Sequence, residues 1–404
     1  MPSAKPIVVV GGGPAGACAA AELAAGGRQV VLFDEKLAWE KPCGGGLTHK
    51  ALAQWPFLRD AAVERNWVDT CELMGPGGRR VSFRLEHPVA IFSRCVLNGL
   101  LLERARQAGA RVVRARVLKI ERSGISWRVH FTGGSVEAGF VVLAAGARNS
   151  FRQQFSRPFA ADDLMTTAGY YIPGQSHCMR IQFLEGLHGY IWIFPRTGHF
   201  SAGICGKLSG QSTAQLRRLL ENSLREFGLE FEGAKFYSHV LPALQPATLR
   251  EAPVSGEGWA IIGDAAGFVD PITGEGLYYA LKSGELLAQA LLGNQPDWYV
   301  ALLGEELLPE LETAARVANR FYAGSWMGQP VVERMIQFTG NSPTFRELMS
   351  DMFAGTQGYR DLRRRLYRSL PAMLAQSLIA ALRLPGSEAG DTAEGVSSVG
   401  YAGR

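Results

Sequence analysis

Short apolar runs and alanine-rich segments alternate at the start of the chain. Ile7 to Val10 is apolar and β-branched and ends in glycines, which is typical of a buried parallel strand. Pro14 to Ala25 is rich in alanine and stops at two glycines, which predicts a helix with a glycine cap. Val30 to Phe33 is the next apolar run, so residues 7–33 predict one strand–helix–strand unit.

The same texture returns far along the chain. Phe140 to Ala144 and Trp259 to Gly263 predict further buried strands, and Leu97 to Ala108 and Glu275 to Leu292 predict helices. Between them, aromatic and β-branched runs predict a mostly antiparallel sheet with one helix at 213–227. The predicted strands of this sheet are Met165–Ile172, Cys178–Leu184, Gly189–Pro195 and Phe200–Cys205.

These patterns predict an α/β fold in which a Rossmann-type domain is interrupted by an antiparallel substrate domain and followed by a helical C-terminal region. The predicted dinucleotide-binding domain comprises 5–75, 90–150 and 250–295, and the substrate domain comprises 76–89 and 151–249. Residues 296–384 are predicted to be helical. Residues 385–404 are rich in Gly, Ser and Ala, which predicts a disordered tail.

Composition narrows the class of protein. The 404 residues are 47% hydrophobic, which is enough for more than one core, and a net charge of +5 makes no case for nucleic acid. The six cysteines form no CxxC pair and have no zinc-like spacing, so we expect reduced thiols, no metal site and a cytoplasmic protein. The sequence shows neither a signal peptide nor an apolar stretch of about 20 residues.

The first glycine-rich turn has the residues of a dinucleotide site. It satisfies GxGxxG, follows a strand, opens a helix, and precedes an acid that can accept from a ribose hydroxyl. That acid is Asp34, with Glu35 as the alternative, and an acid here argues against a 2′-phosphate. A glycine-rich turn without a ligand is the plainer alternative. The predicted cradle consists of Gly11, Gly13, Pro14, Ala15 and Gly16.

A second cluster of glycines and acids follows the strand that ends near residue 263. Asp264 stands at the strand end, where it can hold a ribityl hydroxyl, and a helix begins near Gly276, whose N–H groups can face a flavin carbonyl. A tight loop with a capping Asp is the alternative. The predicted contact residues are Gly263, Asp264, Pro271, Gly274, Glu275 and Gly276.

The stretch GDAAGFVDPITGEG resembles the FAD motif GDAAGxxxPxxGEG of group-A-like flavoproteins, and within these the chain resembles the geranylgeranyl reductase family. The resemblance covers about residues 5–295 and implies FAD as the cofactor. KPCGGG at residues 41–46 resembles the family segment beside the isoalloxazine. It implies cofactor contacts from Cys43, Gly44 and Gly45.

Three further segments extend the resemblance. Ser93-Arg94 followed by Leu97 is similar to the arginine motif that contacts FAD. VLAAGARNSFR, residues 142–152, is similar to ADGxxSxxR and implies contacts from Ala145 and Gly146. The segment YIWIFP with the later Gly203 resembles YxWxFPx₇GxG, which lines the isoprenoid pocket of the family. It implies substrate contacts from Tyr190, Trp192, Phe194, Pro195 and Gly203.

Two positions depart from the family pattern. Ala145 stands where the family usually has Asp, which bears on whether NADPH docks transiently. Cys205 replaces the second glycine of GxG, which bears on the length of the pocket. We therefore leave the reductant open between NAD(P)H and a protein donor such as a ferredoxin, because only one Rossmann fingerprint is present.

The resemblance implies an oxidoreductase in which reduced FAD delivers hydride from N5 to a C=C bond of an isoprenoid or similar apolar substrate. Protonation must assist, because an isolated alkene accepts hydride poorly, and Cys43 or a held water is the expected donor. A small buried thiol is the plainer interpretation of Cys43. Tyr190, Trp192 and Phe194 share one strand face, which either walls an apolar groove or packs in a core.

Other functions share these motifs. An FAD-dependent monooxygenase would use every FAD segment, and a non-catalytic flavin- or lipid-binding protein remains an alternative. A halogenase is disfavoured because YIWIFP only partly resembles WxWxIP. The arginine-rich segment at 360–384 either packs on the core, which we favour, or contacts the inner membrane face peripherally and collects lipid.

Overall fold

The computed structural model describes residues 5–148, 150–326 and 328–382. The predicted tail at 385–404 and the last two positions of the predicted helical region lie outside these residues.

A six-stranded sheet carries the Rossmann-type half of the molecule. Its central strand, Ile7–Val10, pairs in parallel with Phe140–Leu143 on one side and with Val30–Asp34 on the other. Strands from distant parts of the sequence therefore share one sheet, and the predicted discontinuous α/β arrangement is confirmed. The strand order is Ser255–Gly256, Trp259–Ile261, Phe140–Leu143, Ile7–Val10, Val30–Asp34 and Arg111–Arg114.

Helices pack on this sheet through small residues. The helices Pro14–Ala25 and Leu277–Leu292 lie against each other, since a Cβ atom on Gly284 would come within 2.6 Å of the Ala15 carbonyl oxygen. Gly263, with φ of +60°, lets the second glycine-rich loop approach the first helix closely, because a Cβ atom on Gly263 would lie 2.7 Å from Ala15 Cβ. The two glycine-rich segments therefore meet at the carboxyl edge of the sheet. The third helix, Arg94–Gln107, begins three residues before its predicted start.

The second sheet has eight strands and is mostly antiparallel. One pair, Asn66–Met74 with Cys178–Gln182, is parallel. In order, the strands are Lys235–Pro242, Leu164–Pro173, His199–Lys207, Gly189–Arg196, Cys178–Gln182, Asn66–Met74, Arg80–Ile91 and Gly46–Leu47.

Four strands of this sheet were not predicted: Gly46–Leu47, Asn66–Met74, Arg80–Ile91 and Lys235–Pro242. Asn66–Met74 has the sequence NWVDTCELM, in which Asn, Asp and Glu are poor strand formers, so local propensity gave no signal. The domain bounds themselves stay a prediction. Residues 66–74, which were assigned to the predicted dinucleotide-binding domain, form a strand of the eight-stranded sheet.

The predicted long strand at 111–120 is two strands. Arg111–Arg114 joins the six-stranded sheet, and Val117–Ser123 joins a three-stranded sheet with Ser126–Phe131 and Gly134–Ala138. Shorter helices occur in the connections between strands, at His49–Gln54, Phe57–Asp60, Arg152–Phe155, Ala161–Asp163, Pro246–Glu251 and Gly263–Ala265.

The C-terminal region is helical, apart from a hairpin of Ser325–Trp326 and Gln329–Pro330. Its apolar side chains, including Ile336 and Met349, share a core cluster with Val68 and Phe83 of the eight-stranded sheet. In the described part of the chain, no helix combines the length and apolarity needed to cross a bilayer. The helices are Trp298–Glu306, Leu308–Ala323, Val331–Asn341, Pro343–Ala354 and Tyr359–Leu382.

The helix Thr213–Glu226 covers the other face of the eight-stranded sheet. It begins at a capping box in which Ser212 Oγ accepts from the Gln215 N–H, and it buries Leu216, Leu220 and Leu224 completely. This helix stabilises the sheet on the side away from the C-terminal helices.

Leu220→Ala is expected to lower the free energy of unfolding by about 2–5 kcal/mol, because it leaves a cavity under this helix. Urea denaturation followed by circular dichroism measures the change. Arg218→Ala, at an exposed position of the same helix, is the matched control and should change stability by less than about 0.5 kcal/mol. Equal effects of the two substitutions would contradict the described packing.

Candidate flavin site and apolar chamber

One cavity of about 1540 Å³ extends from the carboxyl edge of the six-stranded sheet to the C-terminal helices. At one end it is lined by both glycine-rich segments, and at the other by aromatic and methionine side chains. Ligand pockets usually measure about 300–1,000 Å³, so this cavity has room for two ligands in contact.

The three glycines of the first loop have different surroundings. Gly11 has φ of +110°, and a Cβ there would lie 2.4 Å from the Ala144 carbonyl oxygen. A Cβ on Gly16 would lie 2.0 Å from the Gly11 carbonyl oxygen. Around the Cβ position of Gly13, no described heavy atom lies within 4 Å, and Gly13 lines the cavity. Gly11 and Gly16 therefore permit close packing, while Gly13 leaves space for a ligand.

The acid at the end of the second strand is fixed by the backbone. Asp34 Oδ2 accepts from the Gly12 N–H at 2.7 Å, and Oδ1 accepts from the Lys36 and Leu37 N–H groups at 2.8 and 2.5 Å. A carboxylate has about four lone-pair sites, so Asp34 can still accept from a ribose hydroxyl. Glu35 also lines the cavity, at 3.9 Å from Arg116 Nε. The ribose role of either acid stays a prediction.

The second acidic position is paired. Lys41 Nζ lies 2.7 Å from Asp264 Oδ2, which joins the KPCGGG segment to the second glycine-rich loop. Burial raises the pKa of Asp264, but the charge and hydrogen bond of Lys41 together with the Arg94 charge act against burial and hold that pKa below its usual range. Asp264 is therefore an anion at neutral pH.

Two buried nitrogen atoms beside this pair fit a ligand with polar oxygens. Within the described residues, Arg94 Nε and His239 Nε2 are buried and have no hydrogen-bond partner, and both side chains line the cavity. Burial, and then the nearby Lys41 charge, lowers the pKa of His239 to about 3, so its imidazole is neutral. Buried polar atoms normally find partners, so the phosphate and ring oxygens of an FAD fit this site. The sequence pattern did not single out His239.

Tyrosines hold the second glycine-rich loop from the substrate side. Tyr359 Oη donates to Asp270 Oδ2 at 2.8 Å, and Tyr190 Oη donates to the Thr273 carbonyl oxygen. A third, Tyr322, donates to the Ile272 carbonyl oxygen. The loop that carries the predicted cofactor contacts is therefore positioned by the substrate sheet and the C-terminal helices.

Predicted cofactor residues fall into two groups in this cavity. In the described structure, Gly16, Gly263 and Pro271 do not line the cavity. Gly16 instead packs against the backbone of Gly11, and Gly263 packs against Ala15 of the first helix. The others line the cavity: Gly11, Gly13, Pro14, Ala15, Asp34, Glu35, Cys43, Gly44, Gly45, Arg94, Ala145, Gly146, Asp264, Gly274, Glu275 and Gly276.

The Cys43 loop is fixed by a buried arginine. Arg196 Nη1 lies 2.5 Å from Glu40 Oε1, and Arg196 Nη2 donates to the Cys43 carbonyl oxygen at 2.5 Å. Ser201 Oγ donates to the same oxygen at 2.8 Å, and the Gly45 N–H donates to Cys43 Sγ at 3.3 Å. The thiol is therefore held at the cavity wall. Arg196 was not predicted, although it directly follows the YIWIFP segment.

The strand Gly189–Arg196 supplies the aromatic wall. Tyr190, Trp192 and Phe194 all line the cavity, as their shared strand face predicts. Gly203 and Pro195 do not line it within the described structure. A Cβ on Gly203 would lie 2.3 Å from the Trp192 ring, so this glycine makes room for the indole. The substrate roles of these residues stay predictions.

The far end of the cavity is lined by the C-terminal helices. The sequence predicted that this region is helical but not which side chains face the cavity, because the sheet strands on the opposite wall lie more than a hundred residues earlier in the chain. The chamber side chains there include Phe321, Met335, Phe338, Met349, Met352 and Phe353.

Gly13→Ala is expected to weaken FAD binding by at least about tenfold, since the added methyl group occupies the space left for the phosphates. The FAD-free protein should keep its melting temperature. Gly16→Ala, whose Cβ would lie 2.0 Å from a carbonyl oxygen, should lower that temperature. Flavin fluorescence titration and thermal unfolding measure the two effects. Normal FAD affinity in Gly13→Ala would contradict the assignment.

Comparison with known proteins agrees with this geometry. No protein-family model matches the chain. A geranylgeranyl diphosphate reductase of Rhodobacter capsulatus is 30% identical over 305 residues, covering 70% of this chain and 74% of that protein. A menaquinone reductase of Mycolicibacterium smegmatis is 30% identical over 349 residues, covering 77% and 83%.

Solved structures share the fold. A geranylgeranyl bacteriochlorophyll reductase-like protein of Thermoplasma acidophilum superposes with a TM-score of 0.75 at 20% identity, covering 90% of this chain and 99% of that one. A flavin-dependent brominase has a TM-score of 0.70 at 16% identity, covering 91% and 100%. Together with the paired glycine-rich loops, these relatives show that the chain belongs to the geranylgeranyl reductase family of FAD-dependent oxidoreductases.

Proposed function

We propose that this enzyme hydrogenates C=C bonds of an isoprenoid chain. The observation that carries the proposal is the continuity of the cavity, which joins the flavin loops to an apolar chamber without a separating wall. Relatives named for geranylgeranyl diphosphate and for menaquinone, two molecules with polyprenyl chains, support the same substrate class.

Both glycine-rich loops, Arg94 and Asp264 would hold the cofactor. When bound, reduced FAD supplies the hydride. The Asp264 carboxylate, kept anionic by Lys41, is an acceptor for the ribityl hydroxyls, and the unsatisfied Arg94 Nε is a donor for an anionic oxygen.

The chamber walls orient the chain and exclude water. Phe194 stands beside the Cys43 loop, since a Cβ on Gly44 would lie 2.6 Å from its ring, and Trp192 lines the same cavity. An extended alkene packed along these rings would lie next to the loop that forms the flavin side of the cavity. Exclusion of water favours transfer to carbon over side reactions.

The second carbon of the alkene needs a proton, and two side chains of the cavity can carry one. Cys43 is a thiol fixed at the wall through its own carbonyl group. Glu275 is the second: burial, and then the neighbouring Asp270 carboxylate, raises its pKa to about 7, against the opposing effects of Lys50 and Thr48. A carboxyl group that is partly protonated at neutral pH is suited to general acid catalysis.

Cys43→Ala is expected to slow hydrogenation by about 100-fold or more while FAD stays bound, if Cys43 delivers the proton. Protein reduced anaerobically is mixed with geranylgeranyl diphosphate or a menaquinone. Reoxidation of the flavin and the mass of the product, with two hydrogens gained per bond, are then recorded. Cys178→Ala, a thiol outside the cavity lining, is the matched control.

The same assay separates the alternatives. Unchanged turnover in Cys43→Ala with loss in Glu275→Gln would transfer the proton role to Glu275. Failure of the wild-type protein to saturate any alkene anaerobically, with oxygen-dependent hydroxylation in air, would replace the reductase by a monooxygenase. Adding NADPH or reduced ferredoxin as the electron source identifies the reductant.

The raised pKa of Glu275 also has a consequence for stability. Between about pH 4.5 and 7 the folded protein holds a proton that the unfolded chain has released, so stability of the FAD-free protein should fall as the pH rises through this window. Glu275→Gln should remove much of the fall, about 3 kcal/mol, and leave the part due to buried Asp270, whose pKa burial also raises.

Urea denaturation at a series of pH values measures this dependence. Glu226→Gln, at an exposed helix position, is the control and should leave the profile unchanged. Stability that rises with pH between 4.5 and 7 in the wild-type protein, and is unaffected by Glu275→Gln, would contradict the assigned burial of Glu275.

A further inference from the structure

The exposed face of the helix Tyr359–Leu382 changes character along its length. Its first half carries the exposed arginines Arg360, Arg363, Arg364 and Arg368. Its second half carries large apolar side chains that are between 49% and 72% exposed: Leu374 at 49%, Leu378 at 62%, Ile379 at 53% and Leu382 at 72%. Basic and apolar residues are thus separated along the helix axis.

Helical spacing places these residues together. Positions 374, 378 and 382 are four residues apart, and Ile379 is adjacent, so the four side chains form one contiguous apolar strip. Single exposed apolar residues are ordinary on soluble proteins, but contiguous ones mark interaction sites. A helix of 24 residues is about 36 Å long, so the apolar strip lies further along the helix axis than the arginines.

The opposite face of the same helix lines the cavity. Leu362, Leu366, Leu370 and Met373 contribute to the chamber wall. Tyr367, which is 64% exposed, also lines it, so the chamber reaches the surface beside the exposed face. The helix that presents apolar side chains to solvent is therefore also a wall of the chamber.

We propose that this helix docks the protein on an anionic lipid surface. The apolar strip enters the acyl region and the arginines lie at the level of the phosphate head groups, which places the end of the chamber at the membrane. Guanidinium groups match phosphate oxygens, and apolar insertion with a basic collar is how peripheral helices bind anionic bilayers.

The order of arginines and then apolar residues along the helix favours a membrane over a protein as the binding partner. An acidic protein would satisfy the arginines but would leave the strip from Leu374 to Leu382 in water. The membrane satisfies both halves. The proposal rests on the proposed function in one respect: a polyprenyl substrate resides in lipid, which gives the enzyme a reason to bind a membrane. Membrane binding itself can be measured without catalysis.

The test is co-sedimentation of the full-length, FAD-loaded protein with vesicles of phosphatidylcholine, with or without phosphatidylglycerol. We expect binding to the anionic vesicles. Leu378→Ser with Ile379→Ser should weaken it by about tenfold or more, and Arg364→Glu with Arg368→Glu should do the same. The matched controls are Ile125→Ser, which removes an apolar side chain that is 89% exposed elsewhere, and Arg218→Glu. Neither control should change binding.

Three results would overturn the proposal. The first is wild-type protein that stays in solution with anionic vesicles. The second is a serine pair that binds like the wild type while the glutamate pair does not, which indicates a purely electrostatic contact. The third is a serine pair that dissociates a dimer, which indicates that a second copy covers the strip. Hydrogenation of a short-chain prenyl substrate in detergent, unchanged in the serine pair, separates failed docking from a failed reductase assignment.

Discussion

The fully buried guanidinium of Arg196 joins the eight-stranded sheet to the Cys43 loop. Burying a charge costs several kcal/mol unless it is paired, and Arg196 is paired with Glu40 and donates to the Cys43 carbonyl oxygen. Glu40 in turn accepts from Ser93 Oγ and from the Arg94 N–H. Burial would raise the pKa of Glu40, but Arg196 and these hydrogen bonds hold it below its usual range. The Cys43 loop, the start of the Arg94 helix and the aromatic strand are therefore fixed relative to one another.

This arrangement explains how two ligands can be held against each other. The cofactor side is formed by backbone, where Gly13 leaves space and Arg94 Nε lacks a partner within the described structure. The apolar side of the cavity is formed by aromatic and methionine side chains, and methionine adapts to irregular gaps because it is unbranched and flexible. The loop with Cys43 is shared by both. Tyr190 and Tyr359 add a second connection, because each donates to the loop that carries Glu275.

Local signals predicted the parts of this site that depend on backbone geometry. The glycines of the first loop, Asp34 and the 263–276 segment stand at fixed places in strand–turn–helix units, so their spacing is visible in the sequence. This holds even though some groups that they contact lie far away in the chain, as Ala144 does for Gly11 and Ala15 does for Gly263. Arg196, His239 and the strand Asn66–Met74 were missed because their partners lie far away in the chain. The same holds for the chamber residues of the C-terminal helices, where periodicity shows which face is apolar but not which surface that face meets. The motif predicted a substrate contact for Gly203, which stays a prediction; in the structure this glycine makes room for the Trp192 ring.

The proposed reaction requires that one cavity hold a flavin and an isoprenoid chain at the same time. Native mass spectrometry of the yellow, purified protein after addition of a polyprenyl lipid measures this occupancy directly. We expect a species with one FAD and one lipid on one chain, and loss of the lipid alone when Trp192 is replaced by a charged residue. Lipid that binds only to chains lacking FAD would show that the two ligands compete for the space, which would contradict simultaneous binding.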